Sequence, residues 1–69
     1  MPKGTVKWFN TTKGYGFIAP DGGGKDIFVH VSAVEQSGLT GLADNQIVEF
    51  DLIEGRDGRQ MAGNLKKSG

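Results

Sequence analysis

The stretch Tyr15-Gly16-Phe17-Ile18-Ala19-Pro20-Asp21-Gly22-Gly23-Gly24-Lys25-Asp26-Ile27-Phe28-Val29-His30-Val31 decides the fold. Both of its ends alternate with period two, and neither carries the 3.6-residue apolar repeat of a helix. They read as strands over residues 15–20 and 26–31, and the Asp21-Gly22-Gly23-Gly24 run between them reads as a flexible hairpin loop. Successive side chains of a strand point to opposite faces. Tyr15 and Phe17 therefore share one face with Ile18 on the other, while Asp26, Phe28 and His30 share one face with Ile27, Val29 and Val31 on the other. The aliphatic set is the expected core. That assignment sends four rings, Tyr15, Phe17, Phe28 and His30, to the outside of two adjacent antiparallel strands, within reach of one another.

Working outward, residues 4–10 form a preceding strand, joined to Tyr15 by the turn-forming Thr11-Thr12-Lys13-Gly14, so the first three strands make a meander. Strict alternation puts Val6 and Trp8 on one face and Lys7 and Phe9 on the other. Trp8 and Phe9 can both reach the outer face only if the strand bulges, as barrels commonly require. After Val31, Ser32-Ala33-Val34-Glu35 has the spacing of a capping box and predicts one helical turn, stopped at Gly38. A longer polar connection leads to a strand over residues 46–53. A loop holding Gly55, Arg56, Asp57, Gly58 and Arg59 precedes a last strand over residues 60–65. Three strands, a long crossing and two more strands predict an all-β fold, a small five-stranded antiparallel Greek-key barrel of OB type, as one domain over residues 1–69. Closure also removes exposed sheet edges.

Composition narrows the function. The chain has 69 residues, 12 of them glycine, and no cysteine. A domain this short is too small for a deep catalytic cleft. Without cysteine there are no disulfides, thiolate metal sites or thiol nucleophiles, and a reducing cytoplasm is the expected setting. Neither a secretion leader nor an apolar run of about 18 residues is read, so no membrane partner is expected. No nucleophile and base can be placed together, so the chain is not expected to be an enzyme. His30 is the only histidine and has no second soft ligand, which leaves stacking or hydrogen bonding as its role and no metal or other cofactor. The carboxylates Asp44, Glu49, Asp51, Glu54 and Asp57 read as a solvated acidic face.

Eight basic residues balance eight acidic ones, which at first argues against a nucleic-acid partner. The balance is local, however. Lys3, Lys7, Lys13 and Lys25 against Asp21 and Asp26 leave +2 up to Val31. From Ser32 to Gly58 only Arg56 offsets Glu35, Asp44, Glu49, Asp51, Glu54 and Asp57, leaving −5, and Arg59, Lys66 and Lys67 add +3. Five of the six Phe, Tyr and Trp rings, Trp8, Phe9, Tyr15, Phe17 and Phe28, lie in the basic first half. Lys7 and Lys13 thus stand beside the outward rings, and Gly14 and Gly16 leave room for a planar group to approach. This surface suits unpaired bases, which stack on aromatic side chains whatever their identity while lysines track the phosphates. Asp26 shares the outward face and can accept a hydrogen bond from a base edge. Two other readings stand beside this one. The rings can be core with the aliphatics facing a partner, a placement disfavoured by three aromatics at one parity opposite a complete Ile/Val set. Alternatively the barrel can be an interaction module for proline-rich peptides, which does not need Lys7 and Lys13 beside the rings.

Lys7-Trp8-Phe9-Asn10, Lys13-Gly14-Tyr15-Gly16-Phe17-Ile18 and Asp26-Ile27-Phe28-Val29-His30 together resemble the cold-shock domain family over essentially the whole chain, the last two segments being similar to its two ribonucleoprotein-type motifs. The resemblance implies a five-stranded OB barrel that binds single-stranded RNA and DNA with little sequence preference. It implies an RNA chaperone and, in some members, a transcription antiterminator or regulator, with a size like that of the free-standing bacterial proteins. Monomer is the default state. Carried over by position, the implied binding surface is Lys7, Trp8, Lys13, Tyr15, Phe17, Asp26, Phe28 and His30, with Phe9 at its margin and Arg56 or Arg59 as the cation of the last loop. Three positions depart from the family's pattern. Val31 stands where phenylalanine is frequent and Leu39 where a further aromatic is found, which implies a platform that holds fewer bases at its far end; Tyr15 stands where phenylalanine is commoner but keeps the ring.

Overall fold

The computed structural model describes residues 2–55 and 58–68. Five strands, β1 (Lys3–Asn10), β2 (Tyr15–Pro20), β3 (Ile27–His30), β4 (Ile47–Glu54) and β5 (Gln60–Lys67), and one short helix, α1 (Val31–Gln36), follow one another in the chain. The sheet closes on itself in the order β1-β2-β3-β5-β4, with β1 pairing back to β4. Four of the five pairings are antiparallel and β3–β5 is parallel. The parallel pair is a necessity of closure, because an odd number of strands cannot alternate direction all the way around a ring.

The period-two reading of the core holds. Val6, Ile18, Ile27, Val29, Val48, Phe50, Ala62 and Leu65 from the strands and Val34 from α1 form one buried cluster. Each large aliphatic side chain so buried stabilises the barrel by about 1.5–3 kcal/mol relative to exposure. Phe50 is the one aromatic that is fully buried, at 0% exposure.

The ends of β3 differ from the sequence reading. Asp26 stands before the strand, and Val31 opens α1 instead of ending β3, its amide donating to Gly14 O at 2.9 Å. Ser32 is not the helix cap either. His30 occupies that position with extended backbone (φ −93°, ψ 150°), and its Nδ1 accepts from Ser32 N at 3.1 Å. An imidazole nitrogen lone pair does what a Ser or Asn oxygen usually does at a helix start, which leaves the Ser32–Glu35 capping box unused. The helix stops where expected. Gly38 takes φ +82°, Gly38 N donates to Glu35 O at 2.9 Å and Leu39 N donates to Val34 O at 3.1 Å, a Schellman ending that needs a left-handed residue at Gly38. Leu39 thereby packs against the core.

The strand β5 runs to Lys67, two residues beyond the expected end, because Lys66 pairs opposite Glu49 and Lys67 opposite Val48. Between those pairs and Asp51↔Gly63 the register shifts, with Asn64 at φ +49°. Leu65 N is there satisfied by Ser37 Oγ at 2.8 Å, and the Ser37 hydroxyl donates to Ala33 O at 2.7 Å, so one side chain ties α1 to β5.

Candidate nucleic-acid interface

The outer face is built by a bulge in β1. Val6 pairs with Ile18, but the next pair is Trp8 with Phe17, so Lys7 is an extra residue on that strand. The extra residue breaks the alternation that would have buried Trp8 beside Val6. Trp8 emerges at 37% exposure, and Lys7 is exposed beside it. The same shift turns Phe9 inward, where it is half-buried against the core. The expected irregularity is present, and it brings Trp8 alone, not Trp8 and Phe9 together, to the outer face.

Phe9 also corrects the reading of Gly16. A Cβ at Gly16 would lie 2.7 Å from Phe9 Cα and 2.8 Å from its Cδ1. The missing side chain therefore makes room for Phe9 and the β1 backbone inside the barrel, not for a ligand outside it. Gly14, at φ +86°, serves the turn. That turn is fixed by Asn10, whose carbonyl oxygen accepts from Gly14 N at 2.8 Å and whose Oδ1 accepts from Lys13 N at 3.0 Å, leaving the Lys13 side chain exposed just before Tyr15.

On the outer face the register brings Tyr15 opposite His30 and Phe17 opposite Phe28. The rings form one continuous cluster. Trp8 meets Tyr15 and Phe17 edge-on at centroid distances of 5.4 and 5.5 Å, Tyr15 stacks on Phe28 at 5.7 Å and 25°, and Phe17 meets Phe28 at 5.8 Å and 73°. His30 extends the row at 6.4 Å from Phe28. These separations are those of favourable aromatic pairs, so the cluster is held in place by its own contacts while its outer surface meets water.

Charge is placed around the rings rather than among them. Lys7 Nζ lies 3.1 Å from Asp26 Oδ2, joining the bulge of β1 to the entrance of β3. Arg59 borders a cleft of about 630 Å³ at one end of the barrel, which Asp26 and Lys25 also line and which Phe50 floors. Arg56 lies outside the described residues. Among the described residues no group of three or more His, Cys, Asp or Glu side chains converges, and no helix is long and apolar enough to cross a membrane.

One outer residue escaped the sequence reading. Met61 of β5 pairs alongside Phe28 and opposite Ile53. In a regular strand Met61 would share a face with the buried Leu65, four residues on. The irregularity at Asn64 separates them, and nothing in the local sequence marks it except the Gly63-Asn64 dipeptide.

A family model described as the 'Cold-shock' DNA-binding domain matches residues 2–68. The chain belongs to this family. Among cold-shock relatives, it is 54% identical over 67 residues to a probable cold shock protein of Sinorhizobium fredii, y4cH, covering 96% of this chain and 97% of that one. It is 51% identical over 67 residues to cold shock protein CspA of Rhizobium meliloti, with the same coverage. It is also 53% identical over 58 residues to the cold shock-like protein CspD of Escherichia coli, covering 84% of this chain and 78% of that one. A cold-shock domain is a nucleic-acid-binding barrel, and in this member the meander β1-β2-β3 carries a contiguous outer ring surface.

Proposed function

We propose that this protein binds single-stranded RNA and DNA with low sequence specificity by stacking bases on Trp8, Tyr15, Phe17, Phe28 and His30. The observation that carries the reading is the division of labour across β2 and β3: the aliphatic residues close the core, and the rings are kept together on the opposite face. Rings that only filled space would be placed inside, where each would gain the most from burial. A base stacked on such a ring contributes about 1–3 kcal/mol whatever its identity. A duplex hides those base faces, so this surface discriminates strandedness rather than sequence.

Lys13 and Arg59 follow the phosphates in this reading, Lys7 is held by Asp26 at the edge of the platform and joins them only when that pair opens, and Asp26 accepts from a base edge. Phe9, turned inward, packs against the core beneath this face. Held on the platform, a strand is kept from re-pairing, so the protein loosens RNA secondary structure by mass action. That role fits an RNA chaperone in cold adaptation, or a regulator of transcription through antitermination. The sequence carries no Gly-Lys-Ser/Thr phosphate loop, and trapping needs no ATP. The whole surface belongs to one barrel, so a single copy completes the site and the protein acts as a monomer; in this reading it works in the cytoplasm as a binder and not as an enzyme.

The test uses Trp8, the only tryptophan. Its emission is titrated with octathymidine, with a duplex of equal length, and with a proline-rich peptide. Saturable quenching by the single strand alone is expected. Quenching by the peptide alone would make the barrel a peptide-binding module.

A further inference from the structure

The ring surface does not end at Phe28. Met61 lies alongside it in the parallel β3–β5 pair, and Ile53 lies beside Met61 across the β4–β5 ladder. Paired residues share a face of the sheet, so the outer apolar surface runs without a break from Trp8 on β1 to Ile53 on β4. Ile53 is 44% exposed, and it can lie flat along β5 because Gly63 has no side chain: a Cβ there would collide with Ile53 Cδ1.

The resulting ledge forms one wall of a cleft of about 180 Å³, and His30, Ser32 and Gln36 form the other, with Asn64 at the same cleft. The His30 ring is oriented by two contacts of its Nδ1, with Ser32 N at 3.1 Å and Ser32 Oγ at 2.9 Å. With Nδ1 accepting from the backbone amide, the proton of the neutral ring sits on Nε2. The cleft therefore combines a thioether and a branched aliphatic, both suited to the face of an aromatic ring, with amide and hydroxyl groups suited to its edge. Among the described residues no lysine or arginine lines it.

We propose that this cleft is a further base subsite, in which one nucleobase of the bound strand lies on Met61 and Ile53 with its polar edge toward Gln36 and Asn64. The inference rests on the single-strand reading above. It adds a place for a base beyond His30, on the β4–β5 side of the face. Because no lysine or arginine among the described residues lines the cleft, binding there adds affinity without adding salt dependence.

Met61 is the only methionine besides Met1, so the ε-methyl signals of methyl-labelled protein report on it directly. Octathymidine should shift the Met61 methyl resonance upfield through the ring current of a base. Met61→Ala should weaken octathymidine binding about 5-fold, the low end of what one stacked base contributes. It should leave trithymidine, which occupies the stronger ring positions, and the salt slope unchanged. Gln36→Ala, at an exposed helix position, should give a smaller loss of the same length dependence. Phe28→Ala is the control and weakens binding of both oligonucleotides. If Phe28→Ala weakens binding while Met61→Ala does not and the methyl signal stays in place, the subsite is wrong and the platform stands. If Phe28→Ala changes nothing, the single-strand reading itself fails.

Discussion

Lys7 Nζ and Asp26 Oδ2 stand 3.1 Å apart at the edge of the ring cluster, so the cation exposed by the β1 bulge is already paired before any phosphate arrives. Both side chains keep substantial exposure, 53% and 38%, and a pair so exposed contributes little to stability. Its effect falls on binding. Single strands give a logarithmic salt slope of about −0.7 per neutralised phosphate. Asp26→Asn frees Lys7 and should steepen the slope by about 0.7, leave the unfolding midpoint in place and, because the amide keeps one uncharged accepting oxygen in place of the carboxylate, weaken binding modestly at high salt. Affinities measured from low to high salt check this. An unchanged slope would mean that Lys7 already serves the phosphates in the wild-type protein.

His30 has two separable duties. Its ring continues the platform from Phe28, and its Nδ1 caps α1. Loss of an N-cap costs about 0.5–2 kcal/mol, so His30→Ala should lower stability and weaken oligonucleotide binding together. Asparagine caps helices well but carries no ring. His30→Asn should therefore restore the denaturant midpoint and leave binding as weak as in the alanine variant, a comparison made by urea unfolding and fluorescence titration of both proteins.

Gly16 provides a test from inside the barrel. A Cβ there meets Phe9 and the β1 backbone, and overpacking of this kind costs about 1–3 kcal/mol. Gly16→Ala should lower the unfolding midpoint accordingly. A retained midpoint together with weakened oligonucleotide binding would return this glycine to the ligand side of the sheet.

The fold was legible where period two runs unbroken. In β2 and β3 the parity of Ile18, Ile27 and Val29 marks the core and that of Tyr15, Phe17, Phe28 and His30 marks the face. Legibility fails where one residue is added to a strand. Trp8 could be placed only by postulating the bulge, Phe9 was assigned to the wrong side of it, and Met61 was hidden by the irregularity at Asn64. Parity counts residues, and a bulge changes the count without any obligatory sequence mark. The helix start was misread for a different reason. The Ser32–Glu35 spacing fits a capping box, but His30, two residues earlier, supplies a better-placed acceptor once β3 ends in extended geometry. Gly38 was read correctly as a stop, because a left-handed helix ending strongly favours glycine.

The central claim is that the outer rings bind bases while the aliphatic set holds the fold, and Phe17 separates the two most directly. It is half-buried and touches Trp8, Tyr15 and Phe28. The decisive measurement pairs octathymidine affinity with urea unfolding for Phe17→Ala. The predicted result is a loss of about 1–3 kcal/mol in binding with a stability cost that stays within the ~1.5–3 kcal/mol that full burial of such a ring contributes, so that the variant still folds. A collapsed unfolding midpoint with undiminished binding by the folded fraction would contradict the account.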